Sequence, residues 1–180
     1  MFVFDPPERF VAGTVGQPGD RTFYLQASAQ GRTVSVALEK VQVAVLAERL
    51  EELLETVRRT TDADVPVVVP RELEDTAPLD APVEEEFRVG TMGLAWETEG
   101  ERCVIEALAQ VEGAPEVEPL DENAEEGPDA LRVRLTAEMA RAFIRRAQRV
   151  VAAGRPPCPL CSLPLDPEGH ICPRQNGHRR

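Results

Sequence analysis

The chain has 180 residues, of which 42% are hydrophobic, and a net charge of −12. This length suits one main domain with a short appendage, because domains cluster near about 100–150 residues. The N-terminus lacks the basic start of a signal peptide, and no apolar run approaches the roughly 18 residues that a membrane span needs. We therefore expect a soluble, cytoplasmic protein.

The charge is unevenly distributed along the chain. Residues 131–180 hold ten Arg and three acidic residues, so residues 1–130 carry the acidic excess. Pairing of the acidic and basic parts, within one molecule or between subunits, is the favoured explanation. An acidic protein has no long-range attraction to phosphate backbones, so nucleic-acid binding would depend on a local basic patch.

The motif Phe-x-x-Gly-Thr-x-Gly occurs twice, at residues 10–16 and again at residues 87–93. Alternating apolar runs follow each copy and predict strands, at 22–27 and 33–38 in the first half and at 103–109 and 131–135 in the second. An amphipathic helix ends each half, so both halves are predicted to be β-β-β-α.

The predicted fold is therefore α+β, with an internal duplication. Residues 1–153 form the main domain, in which halves 1–60 and 84–153 build a mainly antiparallel sheet or barrel with two helices. Residues 61–83 link the halves, and residues 154–180 form a small C-terminal tail.

The first predicted helix extends from about Val41 to Arg59. Its apolar residues recur at spacings of three and four and form one buried stripe, namely Val43, Leu46, Leu50, Leu53 and Val57.

The second predicted helix has Thr136 as its N-cap and ends at Gly154. One of its faces is basic, because Arg141, Arg145 and Arg149 stand four residues apart. These guanidinium groups are available for acidic partners or are simply solvated.

Two segments do not predict regular elements. The linker contains four prolines among many acids, which is typical of an extended connection, with at most a short strand at Val67–Val69. Residues 112–129 carry eight acids and no basic residue, which favours a solvated or mobile loop.

The first Gly-Thr-x-Gly copy is also a candidate ligand site. Gly13, Thr14 and Gly16 could cradle a phosphate, but no Gly-Lys-Ser/Thr follows and no helix begins there, so a P-loop is excluded. A hairpin turn, or a strand bend in which glycine permits close backbone approach, is the favoured interpretation.

The strongest chemical signal is a cluster of metal-ligand residues in the tail. Cys158, Cys161, His170 and Cys172 follow the spacing Cys-x₂-Cys-x₈-His-x-Cys, which predicts a tetrahedral structural Zn²⁺ site in a small ribbon or knuckle. Unpaired thiols at a disordered end are the alternative. His178 could replace His170, although His170 better closes a compact second knuckle with Cys172.

The sequence offers little for catalysis. Only two histidines exist, and both lie in the tail, so no imidazole is available as a base for Cys103. Cys103 falls inside a predicted strand, where a buried thiol is the common role.

Several long blocks together resemble one known family. They are residues 9–19, residues 23–27, Phe87-Arg-Val-Gly-Thr-Met-Gly-Leu, Gly154-Arg-Pro-Pro-Cys-Pro-Leu-Cys and Leu165-Asp-Pro-Glu-Gly-His-Ile-Cys. With these blocks the chain is similar, over nearly its full length, to the actinobacterial family DUF3090, for which no activity is established.

The resemblance implies a cytoplasmic protein that is encoded beside a histidine-phosphatase-like protein and a phosphatidylinositol-kinase-like protein. It also implies an aromatic residue in place of His178, which favours Cys158, Cys161, His170 and Cys172 as the ligands.

Three functions are therefore expected in order of preference. The first is a zinc-stabilised accessory protein that docks a protein partner. The second is nucleic-acid binding through the basic helix and the tail, and the third is an enzyme that acts on a phosphorylated small molecule.

Overall fold

The computed structural model describes residues 1–111, 113, 127–154, 158–161, 165, 172 and 174. In the described part of the chain, each helix follows a set of strands. The elements of the first half are β1 Phe2–Phe4, β2 Arg9–Gln17, β3 Asp20–Ala29, β4 Arg32–Leu38 and α1 Lys40–Thr60. Those of the second half are β5 Glu85–Glu97, β6 Arg102–Ala109, β7 Ala130–Leu135 and α2 Ala137–Ala152, and a 3₁₀ helix Arg71–Leu73 lies in the linker between the halves.

All seven strands belong to one sheet, in the order β1-β7-β6-β5-β4-β3-β2. The meanders β2-β3-β4 and β5-β6-β7 are antiparallel, whereas β4 pairs with β5 and β1 pairs with β7 in parallel. The α+β prediction is confirmed. The sheet is not closed, so the alternative of a barrel is wrong.

The open sheet is nevertheless strongly curled. Strands β1 and β2 lie at opposite edges although only residues 5–8 separate them, and the five steps from Phe4 to Arg9 reach at most about 18 Å. The Phe2 ring stacks on Phe87 of β5 with the centroids 6.5 Å apart, and the Arg32 guanidinium of β4 lies 4.9 Å from the centre of the Phe2 ring. The two edges therefore approach each other.

Both helices pack on one face of this sheet and share a single core with it. The predicted stripe of α1 is buried except at one position, where Leu54 is fully buried and Leu53 only partly. A spacing of four, from Leu50 to Leu54, keeps the stripe aligned with a helix of 3.6 residues per turn. The second helix starts as predicted, since Thr136 Oγ1 accepts a hydrogen bond from Met139 N.

The linker wraps around the edge of the sheet, and we call residues 61–84 the strap. It begins after α1 on the helix side, where Asp75 contacts Arg146 of α2. Leu79 then packs on Gly13. Neighbouring residues of a strand face opposite sides of the sheet, and Ala12 belongs to the core, so Gly13 lies on the face away from the helices. The backbone of Asp80 hydrogen-bonds the Gln26 side chain on that same outer face. The strap therefore covers strand β2, and the predicted short strand at Val67–Val69 is absent from it.

Both copies of the repeated motif lie inside strands, the first in β2 and the second in β5. The interpretation as a hairpin turn is wrong for Gly13 and Thr14, because the chain reverses later, at Pro18 and Gly19. Close backbone approach is confirmed. A Cβ at Gly13 would lie 2.5 Å from Leu79, and a Cβ at Gly90 would lie 3.0 Å from the Cα of Gln110.

Candidate metal centre

Three cysteines of the tail converge on one point. The Sγ atoms of Cys158, Cys161 and Cys172 all lie within 4.8 Å of one another, and those of Cys158 and Cys172 are 3.9 Å apart. Sulfur ligands of a tetrahedral Zn²⁺ ion, each bonded at 2.3 Å, stand about 3.8 Å from one another. The cluster therefore has the dimensions of a metal site.

The three cysteines are also shielded from solvent, as is expected of the ligands of a structural metal site. Cys158 is 5% exposed and Cys172 is 4% exposed, while Cys161 is intermediate. Enclosure of this kind limits exchange with solvent at a structural site. The sequence pattern predicted this convergence for the three cysteines.

The Cys-x-x-Cys turn favours thiolate at its first position. Backbone N–H groups of Cys161 and Leu160 lower the pKa of Cys158, and Leu160 N donates to its Sγ at 3.4 Å. Metals bind the thiolate rather than the thiol. Three such donors suit a soft or borderline ion, and they can hold a metal ion with one tetrahedral position left for a further ligand.

The predicted fourth ligand, His170, lies outside the described residues, and so does the alternative His178. The zinc ribbon or knuckle predicted for residues 154–180 falls mostly outside them as well.

The basic row of α2 is divided between different environments. Arg141 is buried and donates to Glu55 at 3.0 Å and to the Pro66 carbonyl at 3.1 Å. Arg149 donates to the Asp75 carbonyl at 2.6 Å, and Arg145 is exposed. Two of the three guanidinium groups therefore hold the strap and α1, which leaves little of the row for an external phosphate.

The glycine candidates lie in strand β2 rather than on α2. Leu79 of the strap covers Gly13, Thr14 pairs with Phe23 of β3, and Gly16 adopts a positive φ of 104° beside the Asp20 carbonyl. The Gly13 backbone faces a packed side chain rather than an open cradle.

A charged network that the sequence analysis missed lies at the β2 edge. Asp75 of the strap accepts from Arg9 Nε at 2.7 Å and from Arg146 Nη1 at 2.7 Å. Arg146 also donates to the Ala12 carbonyl of the edge strand. The hydrogen bond from Arg9 is the first cause of the lowered pKa of Asp75. The sequence contains one indication of this network, because Arg146 follows Phe143 by three residues and therefore falls on the apolar face of α2.

Cys103 is a buried core residue, as predicted. It is fully enclosed in β6, and burial raises the pKa of its thiol to about 12. A thiol with so high a pKa is not a nucleophile at neutral pH.

None of the described helices combines the length and apolarity needed to cross a bilayer.

Comparison with known proteins agrees with the cysteine pattern. The model of the family DUF3090, described as a protein of unknown function, matches residues 2–172. The chain belongs to this family. The matched range includes all three clustered cysteines and His170 and ends before His178. Neither the curated proteins nor the solved structures give a significant match.

Proposed function

We propose that this DUF3090 protein is a zinc-binding interaction protein, in which a structural Zn²⁺ ion organises the C-terminal tail. The observation that carries the proposal is the convergence of three cysteine sulfur atoms within 4.8 Å of one another. His170 is the proposed fourth ligand, because it lies within the range shared with the family whereas His178 does not.

The donor set supports a structural role rather than a catalytic one. Three thiolates and one imidazole complete a tetrahedron and leave no position for a water molecule. The tail between residues 154 and 180 has few apolar side chains, so burial alone stabilises it little. A metal would supply the missing folding energy.

Metal analysis of the purified protein tests the site. We expect about one Zn²⁺ per chain by elemental analysis, and a thiolate-to-metal charge-transfer band after replacement by Co²⁺. Substitution Cys161→Ser should lower the metal content and alter this band, and His170→Ala should do the same.

Two matched controls accompany these variants. Cys103→Ala removes a thiol that lies outside the cluster, and His178→Ala removes the other imidazole of the chain. Neither should change the metal content. Protein that contains no metal after expression in zinc-supplemented medium, and that binds no Co²⁺, would exclude the proposed site.

The proposal includes a protein partner. This part is supported by the donor set, which is that of a structural metal site. The described residues show no nucleophile paired with a base, and docking to a partner does not require such a pair. The histidine-phosphatase-like and phosphatidylinositol-kinase-like proteins implied by the family resemblance are the first candidates.

Co-purification with each candidate tests this part of the proposal. We expect at least one candidate to bind the zinc-loaded protein and to bind the Cys161→Ser variant more weakly. Binding of neither candidate, with the metal in place, would remove the proposed partners while leaving the metal site intact.

We also propose that the two halves share an origin by duplication. The support is that the repeated motif lies in the first strand of each antiparallel meander and that a helix follows each meander. An alignment of many family members, with one half set against the other, tests the idea. Similarity between the halves that is limited to this short motif would contradict it.

A further inference from the structure

A cavity of about 430 Å³ lies between the β2 edge, α2 and the strap, and the proposed metal site makes no use of it. Sites for small molecules typically measure about 300–1,000 Å³. Three separate elements line the cavity, with Phe10 from β2, Phe143 from α2 and Leu73 from the strap. We propose that this cavity binds a small organic cation with an apolar body.

The inner wall of the cavity is apolar and rigid. The rings of Phe10 and Phe143 stack with their centroids 4.7 Å apart and their planes at 22°. Both rings belong to the packed core, since Phe10 is 8% exposed and Phe143 is 1% exposed. The two rings therefore lie behind the cavity wall, and the partly exposed side chains of Met139, Ala142 and Leu73 present the apolar surface that a ligand can contact. Such a wall accommodates an aromatic or aliphatic group at little cost in side-chain entropy.

Two arginines also line the cavity, but the protein itself satisfies them. Arg146 donates to the Ala12 carbonyl, to Asp75 and to the Ala77 carbonyl. Arg9 donates to Asp75 and to the Ala77 and Pro78 carbonyls. An anionic ligand would have to displace Asp75 and these carbonyls, so the arginines disfavour an anion as the occupant.

The remaining charges of the cavity are negative. Glu8, Glu72 and Glu74 line it, and all three are exposed. Glu8 accepts a hydrogen bond from Gln30 N, whereas no described residue pairs with Glu72 or Glu74. These carboxylates beside an apolar wall match a ligand that carries a positive charge at one end.

A titration that compares two probes of opposite charge tests the inference. Phenethylamine and phenylpropionate both present a phenyl ring, one with an ammonium group and one with a carboxylate. We expect saturable chemical-shift changes around Phe143 with phenethylamine and none with phenylpropionate. The affinity should fall as the salt concentration rises, because exposed carboxylates are screened.

Variants separate the two parts of the site. The double substitution Glu72→Gln and Glu74→Gln should weaken phenethylamine binding by about fivefold or more, as expected for the loss of exposed charge pairs. Glu99→Gln is the matched control, because Glu99 is exposed in the turn between β5 and β6. This control should leave the affinity unchanged.

Filling the cavity gives a second, independent readout. Ala142→Phe should abolish binding while the circular dichroism spectrum and the cooperative thermal transition are retained. Cys161→Ser should leave binding unchanged, so failure of this inference and failure of the zinc proposal are distinguishable. Equal binding of both probes, no saturable change with phenethylamine, or full affinity in the Gln double variant would overturn it.

Discussion

The segments that follow the two helices differ in how they are held. The strap follows α1, contributes only Val65 to the buried core, and is fixed by charge, with Asp75 bound to Arg9 and Arg146 and its carbonyl bound to Arg149. In the tail, which follows α2, three cysteine sulfur atoms lie within 4.8 Å of one another. The strap uses charges that the folded domain supplies, whereas the tail brings together three thiols that could hold a metal ion.

The difference has a physical consequence. A segment with few buried apolar side chains requires another source of free energy to offset its conformational entropy. For the strap this source is a partly buried ion-pair network, which responds to pH. For the tail we propose metal coordination, which would respond to metal supply. Each segment should therefore fail under conditions that the other survives.

Metal removal should give the largest and most local effect. A structural Zn²⁺ site contributes about 10–16 kcal/mol in small peptides at neutral pH. We expect a strong chelator to abolish hydrogen-exchange protection of the amides around Cys158 and Cys172 while α1 and the sheet keep theirs. Hydrogen exchange followed by mass spectrometry measures both regions together. Loss of protection in both regions would show that the tail and the domain form one cooperative unit.

Substitution Arg146→Ala should affect the strap instead of the tail. It leaves Asp75 without one of its partners and the Ala12 carbonyl without a donor, which we expect to lower the free energy of unfolding by about 3 kcal/mol. Urea denaturation measures the change. The exposed neighbour provides the control, since Arg145→Ala should stay within about 0.5 kcal/mol of the wild type. Equal effects of the two substitutions would contradict the role of Arg146.

Substitution Gly13→Ala tests the apolar contact of the strap. The new Cβ would lie 2.5 Å from Leu79, and overpacking of this kind costs about 1–3 kcal/mol. Gly100→Ala is the control, because a Cβ at Gly100 has its nearest contact at 3.5 Å. The double variant with Leu79→Ala should recover part of the loss. A double variant that is no more stable than additivity predicts would show that Leu79 is not the cause.

Acidification should give the smallest effect, and its sign follows from Asp75. The folded state lowers the pKa of this carboxyl, first through the hydrogen bond from Arg9. Its contribution is therefore complete above the ordinary carboxyl pKa of about 3.9 and is lost as the pH falls through the lower pKa of the folded state. The stability difference between wild type and Asp75→Asn should shrink over this acidic range. A difference that is independent of pH would exclude the carboxylate as the responsible group.

Much of the local structure could be read from the sequence. The stripe of α1, the Thr136 cap and the alternating strands depend on near neighbours in the chain, and these predictions agree with the structure. The cysteine cluster was also predictable, because Cys-x-x-Cys spacing places two sulfur atoms together by local geometry. The single error in the stripe, Leu53 for Leu54, reflects two adjacent leucines that hydrophobicity does not distinguish.

Only the tertiary structure decided how distant segments use the same charges. The sequence shows Arg141, Arg145 and Arg149 as one row, yet the fold buries the first against Glu55, leaves the second exposed and directs the third to the strap. Likewise, Arg9, Asp75 and Arg146 are separated by more than 60 residues at each step and carry no shared local pattern. Periodicity reports which face of an element is apolar. It does not report which charged side chains the folded chain brings within hydrogen-bonding distance, because that depends on the path of the strap around the edge of the sheet.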